Sequence, residues 1–219
     1  MEPEVKICGI NSPEAAEAAA GADYAGFVFY APSPRHLTPA QAAKLASLLP
    51  AGVKKVGLFV DAGDAKIEAV LDSVKLDMLQ LHGEETPERI AAIKARFKLP
   101  VMKAVKLAGA GDLAAAKDYA NVCDRILFDA KPPEDMTGAL PGGNALAFDW
   151  ELLRGYSGGR PWMLSGGLTP ENVAEALAVS GARGVDVSSG VEDRRGHKDP
   201  ARIRRFIAAA RAVRVKENQ

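Results

Sequence analysis

The sequence predicts a single-domain α/β protein, a closed (β/α)8 barrel of parallel strands. Three observations predict it. Short apolar runs of strand length recur eight times along the 219 residues. Alanine- and leucine-rich stretches with helical spacing separate most of them, and five Ser/Thr/Asp-Pro steps mark helix starts. Strands alternating with helices throughout imply right-handed βαβ units, hence a parallel sheet. The length is near the lower end, roughly 200 residues, of the range for such barrels and leaves little for a second domain. An open doubly wound sheet is the competing architecture. Against it, no Gly-x-Gly-x-x-Gly follows the first strand, and no phosphate-loop motif ending in Gly-Lys-Ser/Thr occurs anywhere.

Strands are expected at 5–8, 25–29, 56–60, 78–81, 101–105, 125–129, 162–165 and 185–188. Helical spacing is clearest over 40–49 and 173–179. Helix starts are predicted at Ser12-Pro13, Thr38-Pro39, Thr86-Pro87, Thr169-Pro170 and Asp199-Pro200. In each, a side-chain oxygen can take an orphaned backbone N–H, and the proline gives up a donor that has no partner at that position. Glu14, Glu88 and Glu171 follow in the first turn, where negative charge suits the helix dipole. The longest irregular stretch, 130–147, contains Pro132-Pro133, Pro141 and Gly142-Gly143. A loop of that length in a compact barrel reads as an active-site cover. Residues 216–219 are expected to fray.

Composition excludes several classes. Lys+Arg and Asp+Glu each number 28, so the formal net charge is zero and no broadly basic surface holds nucleic acid. Two cysteines, with no Cys-x-x-Cys or Cys/His cluster, make neither a disulfide framework nor structural zinc. The start, Met1-Glu2-Pro3-Glu4, lacks the basic end and apolar core of a secretion signal. No apolar stretch approaches the roughly 20 residues that cross a bilayer. The expected setting is cytoplasmic, with no membrane or nucleic-acid partner.

Strands buried on both faces should be apolar throughout. Several here are not. Lys6 and Cys8 oppose Val5 and Ile7; Gln80 and His82 oppose Leu79 and Leu81. Leu127 and Asp129 oppose Ile126 and Phe128; Asp186 and Ser188 oppose Val185 and Val187. One register places every apolar partner outward under the helices and the polar set in the barrel lumen. Lys6, Gln80 and Lys103, deeper in their strands, fit a satisfied internal network as well as they fit chemistry. Cys8, Asp61, His82, Asp129 and Ser188 fall at C-terminal strand ends, the mouth where barrel enzymes carry their sites. Cys8 and Asp129 are the candidate catalytic pair, since both types do acid–base work. His82 and Asp186 are candidate substrate-binding residues. Asp61 reads as a cap for the next helix, and Cys123, at the opposite end of its strand, as a packed hydrophobe.

After strand seven comes Ser165-Gly166-Gly167-Leu168, and after strand eight Ser188-Ser189-Gly190-Val191. Glycines let backbone amides approach a ligand, and these two loops are the usual phosphate site of the fold. Gly166, Gly167, Ser188, Ser189 and Gly190 are the candidate phosphate-binding residues. Arg35, in the proline-stiffened loop after strand two, offers a fork to a carboxylate or stands as an ordinary surface charge.

Together these fragments resemble the phosphoribosylanthranilate isomerases of tryptophan biosynthesis, from Lys6 to about Asp199. The resemblance rests on Lys6-Ile7-Cys8-Gly9, on Gly26-Phe27-Val28-Phe29 with Ser33-Pro34-Arg35, and on Leu79-Gln80-Leu81-His82-Gly83. Leu127-Phe128-Asp129, Phe148-Asp149-Trp150, Ser165 through Asn172 and Gly184 through Glu192 complete it, in order. The chain departs from the pattern at Gly142-Gly143-Asn144-Ala145, where the family usually reads Gly-Gly-Ser/Thr-Gly. The resemblance implies Cys8 as general base, Asp129 as general acid, and Arg35 as partner of the anthranilate carboxylate. It also implies an Amadori rearrangement of aminoaldose to aminoketose on a small phosphoribosyl substrate, by a monomer or homodimer. No metal or organic cofactor is called for, because the substrate imine is its own electron sink. The two roles require opposite pKa shifts, Asp129 upward by desolvation and Cys8 downward with Lys6 helping. A non-catalytic phosphosugar-binding barrel, or another phosphosugar isomerase of this fold, is the alternative. The related histidine-pathway isomerase is expected to carry aspartate where Cys8 stands.

Overall fold

The computed structural model describes residues 1–132, 140, 142–143 and 148–215. Pro133, Pro141, Asn144, Ala145 and residues 216–219 lie outside the described residues. Eight parallel strands close on themselves in sequence order. They are β1 (Glu4–Cys8), β2 (Tyr24–Val28), β3 (Lys54–Phe59), β4 (Met78–Leu81), β5 (Val101–Leu107), β6 (Arg125–Ala130), β7 (Trp162–Leu164) and β8 (Gly184–Val187). The ring closes where β8 pairs with β1, Lys6 opposite Asp186. The helices are α1 (Pro13–Ala18), α2 (Pro39–Ala46), α3 (Asp64–Leu71), α4 (Pro87–Phe97), α5 (Leu113–Ala120), α6 (Val173–Ser180) and α7 (Pro200–Arg211).

Capping bonds form at all five predicted starts, and at four of them the helix follows at once. Ser12, Thr38, Thr86 and Asp199 accept N–H bonds from the first turns of α1, α2, α4 and α7. At Thr169-Pro170, Thr169 Oγ1 accepts from Glu171 N at 3.2 Å, but the regular helix is delayed. There the chain spends residues 169–172 in a turn, with Asn172 Oδ1 accepting from Thr169 N at 2.8 Å, and α6 begins at Val173. A short hairpin of β9 (Glu192–Arg194) and β10 (His197–Lys198) follows β8 and is a further departure from the predicted pattern.

Two cores result. Outward residues such as Val5, Ile7, Leu79, Leu81, Ile126, Phe128, Val185 and Val187 join the large core beneath the helices. Tyr24, Val56, Met78, Met102, Ala104, Leu127 and Met163 fill the lower lumen. The lumen assignment of Lys103 is corrected. Met102 and Ala104 point inward, so Lys103 points out toward α5, 5.5 Å from the Tyr119 ring centroid. It bonds Glu85 Oε2 at 2.7 Å and donates to the Gly83 carbonyl. Asp61 caps no helix either. It adopts φ +47° and its Oδ1 accepts Glu84 N at 2.8 Å, bracing the loop after β4, while Gly63 precedes α3. Cys8 and Cys123 are both free and buried.

Candidate active site

Above the lower lumen core, at the C-terminal strand ends, one cavity opens. All ten predicted site residues line it: Cys8, Arg35, His82, Asp129, Gly166, Gly167, Asp186, Ser188, Ser189 and Gly190. Leu140, Gly142 and Gly143, from the long loop after β6, line it as well. A Cβ on Gly142 would come within 2.7 Å of Asp129 Oδ2 and 2.6 Å of His82 Nε2, so this loop passes directly over that pair.

Cys8 ends β1, and Gly26 on the neighbouring strand makes room for it. A side chain there would meet the Cys8 sulfur at 3.2 Å and the Lys6 ammonium at 3.3 Å. Below, Lys6 Nζ donates to Asp186 Oδ1 at 2.7 Å, and Ser165 Oγ donates to Asp186 Oδ2 at 3.2 Å. Both ions are almost fully buried, and such a pair persists only because each offsets the other's lost hydration. Burial works against the Lys6 ammonium, but Asp186 and Cys8 outweigh it and hold its pKa above the ordinary lysine value.

The Cys8 thiol is shifted opposite to the downward direction predicted from sequence. Burial pushes its pKa up, and Asp186 adds to that effect. The positive charges of Lys6, Lys198 and Arg35 offset only part. The main reason is burial: the cost of taking the thiolate out of water exceeds the help of Lys6, part of which Asp186 cancels.

Across the cavity Asp129, at the end of β6, is held by a short relay. Gln80 Nε2 donates to His82 Nδ1 at 2.9 Å. That leaves the imidazole proton on Nε2, which donates to Asp129 Oδ2 at 3.2 Å. Ala130 N donates to Oδ1 at 3.0 Å. The alternation in β4 thus places Gln80 and His82 on one face, one supporting the other.

Two loops form the glycine cradle. Gly166 and Gly167 have φ +90° and +65°, a pair of left-handed conformations that turn the backbone after β7 around the cavity wall. Ser189–Val191 makes one 3-10 turn. Gly190 has no room for a Cβ, which would collide with the Leu168 carbonyl, so the two loops pack backbone to backbone.

Arg35 is not a surface charge. It is 3% exposed and forks onto Glu192, Nε to Oε1 at 2.6 Å and Nη2 to Oε2 at 2.9 Å. Its Nη2 also reaches the Gly143 carbonyl at 3.4 Å. Glu192 and Lys198 are site-bordering residues that the sequence reading did not single out. Lys198 Nζ donates to Glu192 Oε1 at 2.7 Å, to the Ser188 carbonyl at 2.8 Å and to Ser188 Oγ at 3.2 Å. Glu192 closes the Gly184–Glu192 fragment, which gives it no role by itself, and Arg194, Arg195 and Gly196 give the segment that follows the composition of an exposed turn.

A family model for N-(5'-phosphoribosyl)anthranilate (PRA) isomerase matches residues 5–209. The isomerase of Rhodospirillum centenum is 59% identical over 215 residues, covering 97% of this chain and 100% of the relative. The solved phosphoribosyl anthranilate isomerase from Thermotoga maritima superposes with a TM-score of 0.85 at 41% identity, across 96% of this chain and 100% of that one. A second solved isomerase, in complex with reduced 1-(o-carboxyphenylamino)-1-deoxyribulose 5-phosphate, gives a TM-score of 0.82 at 39% identity with the same coverage. Among the described residues no helix is long and apolar enough to cross a membrane. A closed barrel with a thiol, a carboxylic acid and a glycine cradle at one mouth, matched along nearly its full length, places this chain in the N-(5'-phosphoribosyl)anthranilate isomerase family.

Proposed function

We propose that Cys8 and Asp129 divide the proton transfers of the reaction this family membership assigns to the chain, the isomerisation of N-(5'-phosphoribosyl)anthranilate in tryptophan biosynthesis. The observation that supports the division is their placement. They stand on strands three steps apart around the closed ring, β6 and β1, and face one cavity. Asp129 in its acid form gives a proton to the furanose oxygen, the C1–O bond breaks, and the anilino nitrogen becomes a protonated imine. The Cys8 thiolate then takes the proton from C2, and that C–H electron pair neutralises the imine to give an enolamine. The enol proton leaves, C1 gains a proton, and the 2-ketone results with no net gain or loss of protons. His82 Nε2–H supports the Asp129 carboxylate once its proton has gone.

Binding follows the same layout. Gly166, Gly167, Ser188, Ser189 and Gly190 hold the 5-phosphate through backbone amides and hydroxyls. Arg35 meets the anthranilate carboxylate, and Asp186 acts from below through Lys6. The reading assigns the chain to the cytoplasm, as a monomer or homodimer in one barrel domain, with 130–147 covering the bound substrate.

The test is the pH dependence of kcat/KM, which reports ionisations of the free enzyme. Because the acid form of Asp129 and the thiolate of Cys8 are needed together, and a thiol is ordinarily the weaker acid, the alkaline limb belongs to Cys8; with its pKa raised, activity should fall with pH only along a limb above the ordinary thiol range. Lys6→Met should move that limb still higher, since a cation that favours the thiolate is lost. An unmoved limb would remove Cys8 from the base role.

A further inference from the structure

Three ionised side chains meet behind the cavity wall: Arg35, Glu192 and Lys198. Each is buried, and each is more than nine-tenths hidden. The Glu192 carboxylate accepts four bonds. Arg35 Nε and Lys198 Nζ reach Oε1, while Arg35 Nη2 and the Gly196 amide, at 2.9 Å, reach Oε2. Arg202 bonds only the Glu192 backbone carbonyl, at 3.2 Å, and pairs with Asp199. So two buried cations share one carboxylate, and the cluster carries a surplus of one positive charge.

A surplus buried charge is costly unless an anion answers it. The effects on the partners agree. Burial, with the charge of Arg35 added, brings Lys198 down to about 8 against the pull of Glu192. Despite burial, the bonds from Arg35 and Lys198 hold Glu192 near 2. Geometry decides where the answering anion can sit. Glu192 occupies the Nε/Nη2 edge of the guanidinium, so the remaining donor edge, through Nη1, lies beside Gly143, and both residues line the cavity. Lys198 ties the same carboxylate to Ser188, at the phosphate cradle.

We infer that Glu192 is a positioning residue for substrate specificity, turning the free edge of Arg35 toward the substrate's aryl carboxylate while Lys198 fixes its distance from the phosphate cradle. This rests on the reading of Arg35 given above. Arginine held by one carboxylate is pre-organised for a second and loses little freedom on binding it. The surplus charge then selects carboxylate-bearing substrates.

Full-length Glu192→Gln tests this with two substrates: phosphoribosylanthranilate, and the same phosphoribosylamine of aniline, which lacks the ortho carboxylate. For the natural substrate, kcat/KM should fall on the order of 10-fold or more, carried mostly by KM. With the aniline compound the loss should be several times smaller, and Glu192→Asp should recover part of the natural activity. Equal losses on both substrates, or a loss confined to kcat, would overturn the inference. If Glu192→Gln does not fold, Glu192→Asp carries the same comparison. Arg35→Lys separates the two readings. Should it fail to discriminate between the substrates, the role of Arg35 itself is wrong; should it discriminate while Glu192→Gln does not, only the present inference falls.

Discussion

Asp129→Asn is expected to lower kcat by about 10²–10⁴-fold, the usual worth of a positioned general acid. The amide is nearly isosteric with the acid. Its oxygen can still accept from His82 Nε2, and Asp129 sits at 4% exposure where shape matters. What is lost is the proton for the furanose oxygen. Because that proton moves only in the transition state, kcat and kcat/KM should fall together with KM little changed. Steady-state turnover with a thermal melt on the same preparation checks this. A folded variant within about threefold of the parent's kcat would exclude Asp129 as the acid.

Cys8→Ala should cost a similar factor, about 10²–10⁴-fold, for the complementary reason. The ring can still open, but no base remains beside C2. Lys6 cannot take over, because its ammonium is held by Asp186 at 2.7 Å and its pKa is raised. Cys8→Ser should do little better than alanine, since a hydroxyl is a far weaker acid than a thiol. With substrate deuterated at C2, the parent should show a primary isotope effect if C–H cleavage limits turnover. Turnover of Cys8→Ala near the parent's would place the base elsewhere.

Much of this arrangement was legible in the chain. The polar-inside alternation of β1, β4, β6 and β8 gave the lumen register correctly, because in each the opposite face is wholly apolar. In β5 the rule had nothing to grip. Met102 and Ala104 read as apolar as Val101 and Val105, so only the closed barrel shows that Lys103 points outward to Glu85. Helix starts were legible at four of the five places where a cap and a proline adjoin. At Thr169 the capping bond forms but the helix is delayed, because Asn172 Oδ1 takes the Thr169 amide and closes a turn first. Long-range pairing is what a linear reading lacks. Lys6 was visible two residues from Cys8, but not its pairing with Asp186, 180 residues away. Glu192 likewise lies 157 residues from Arg35, and nothing local announces their meeting.

The central claim is that a thiol and a carboxylic acid reach the same sugar. A crystal structure of this enzyme with reduced 1-(o-carboxyphenylamino)-1-deoxyribulose 5-phosphate bound measures it directly. The account predicts Cys8 Sγ within about 3–3.5 Å of sugar C2, and an Asp129 oxygen equally near the hydroxyl that was the ring oxygen, the separation of groups poised to react. A bound analogue with either side chain facing away from the sugar, or walled off from it by other residues, would contradict the account.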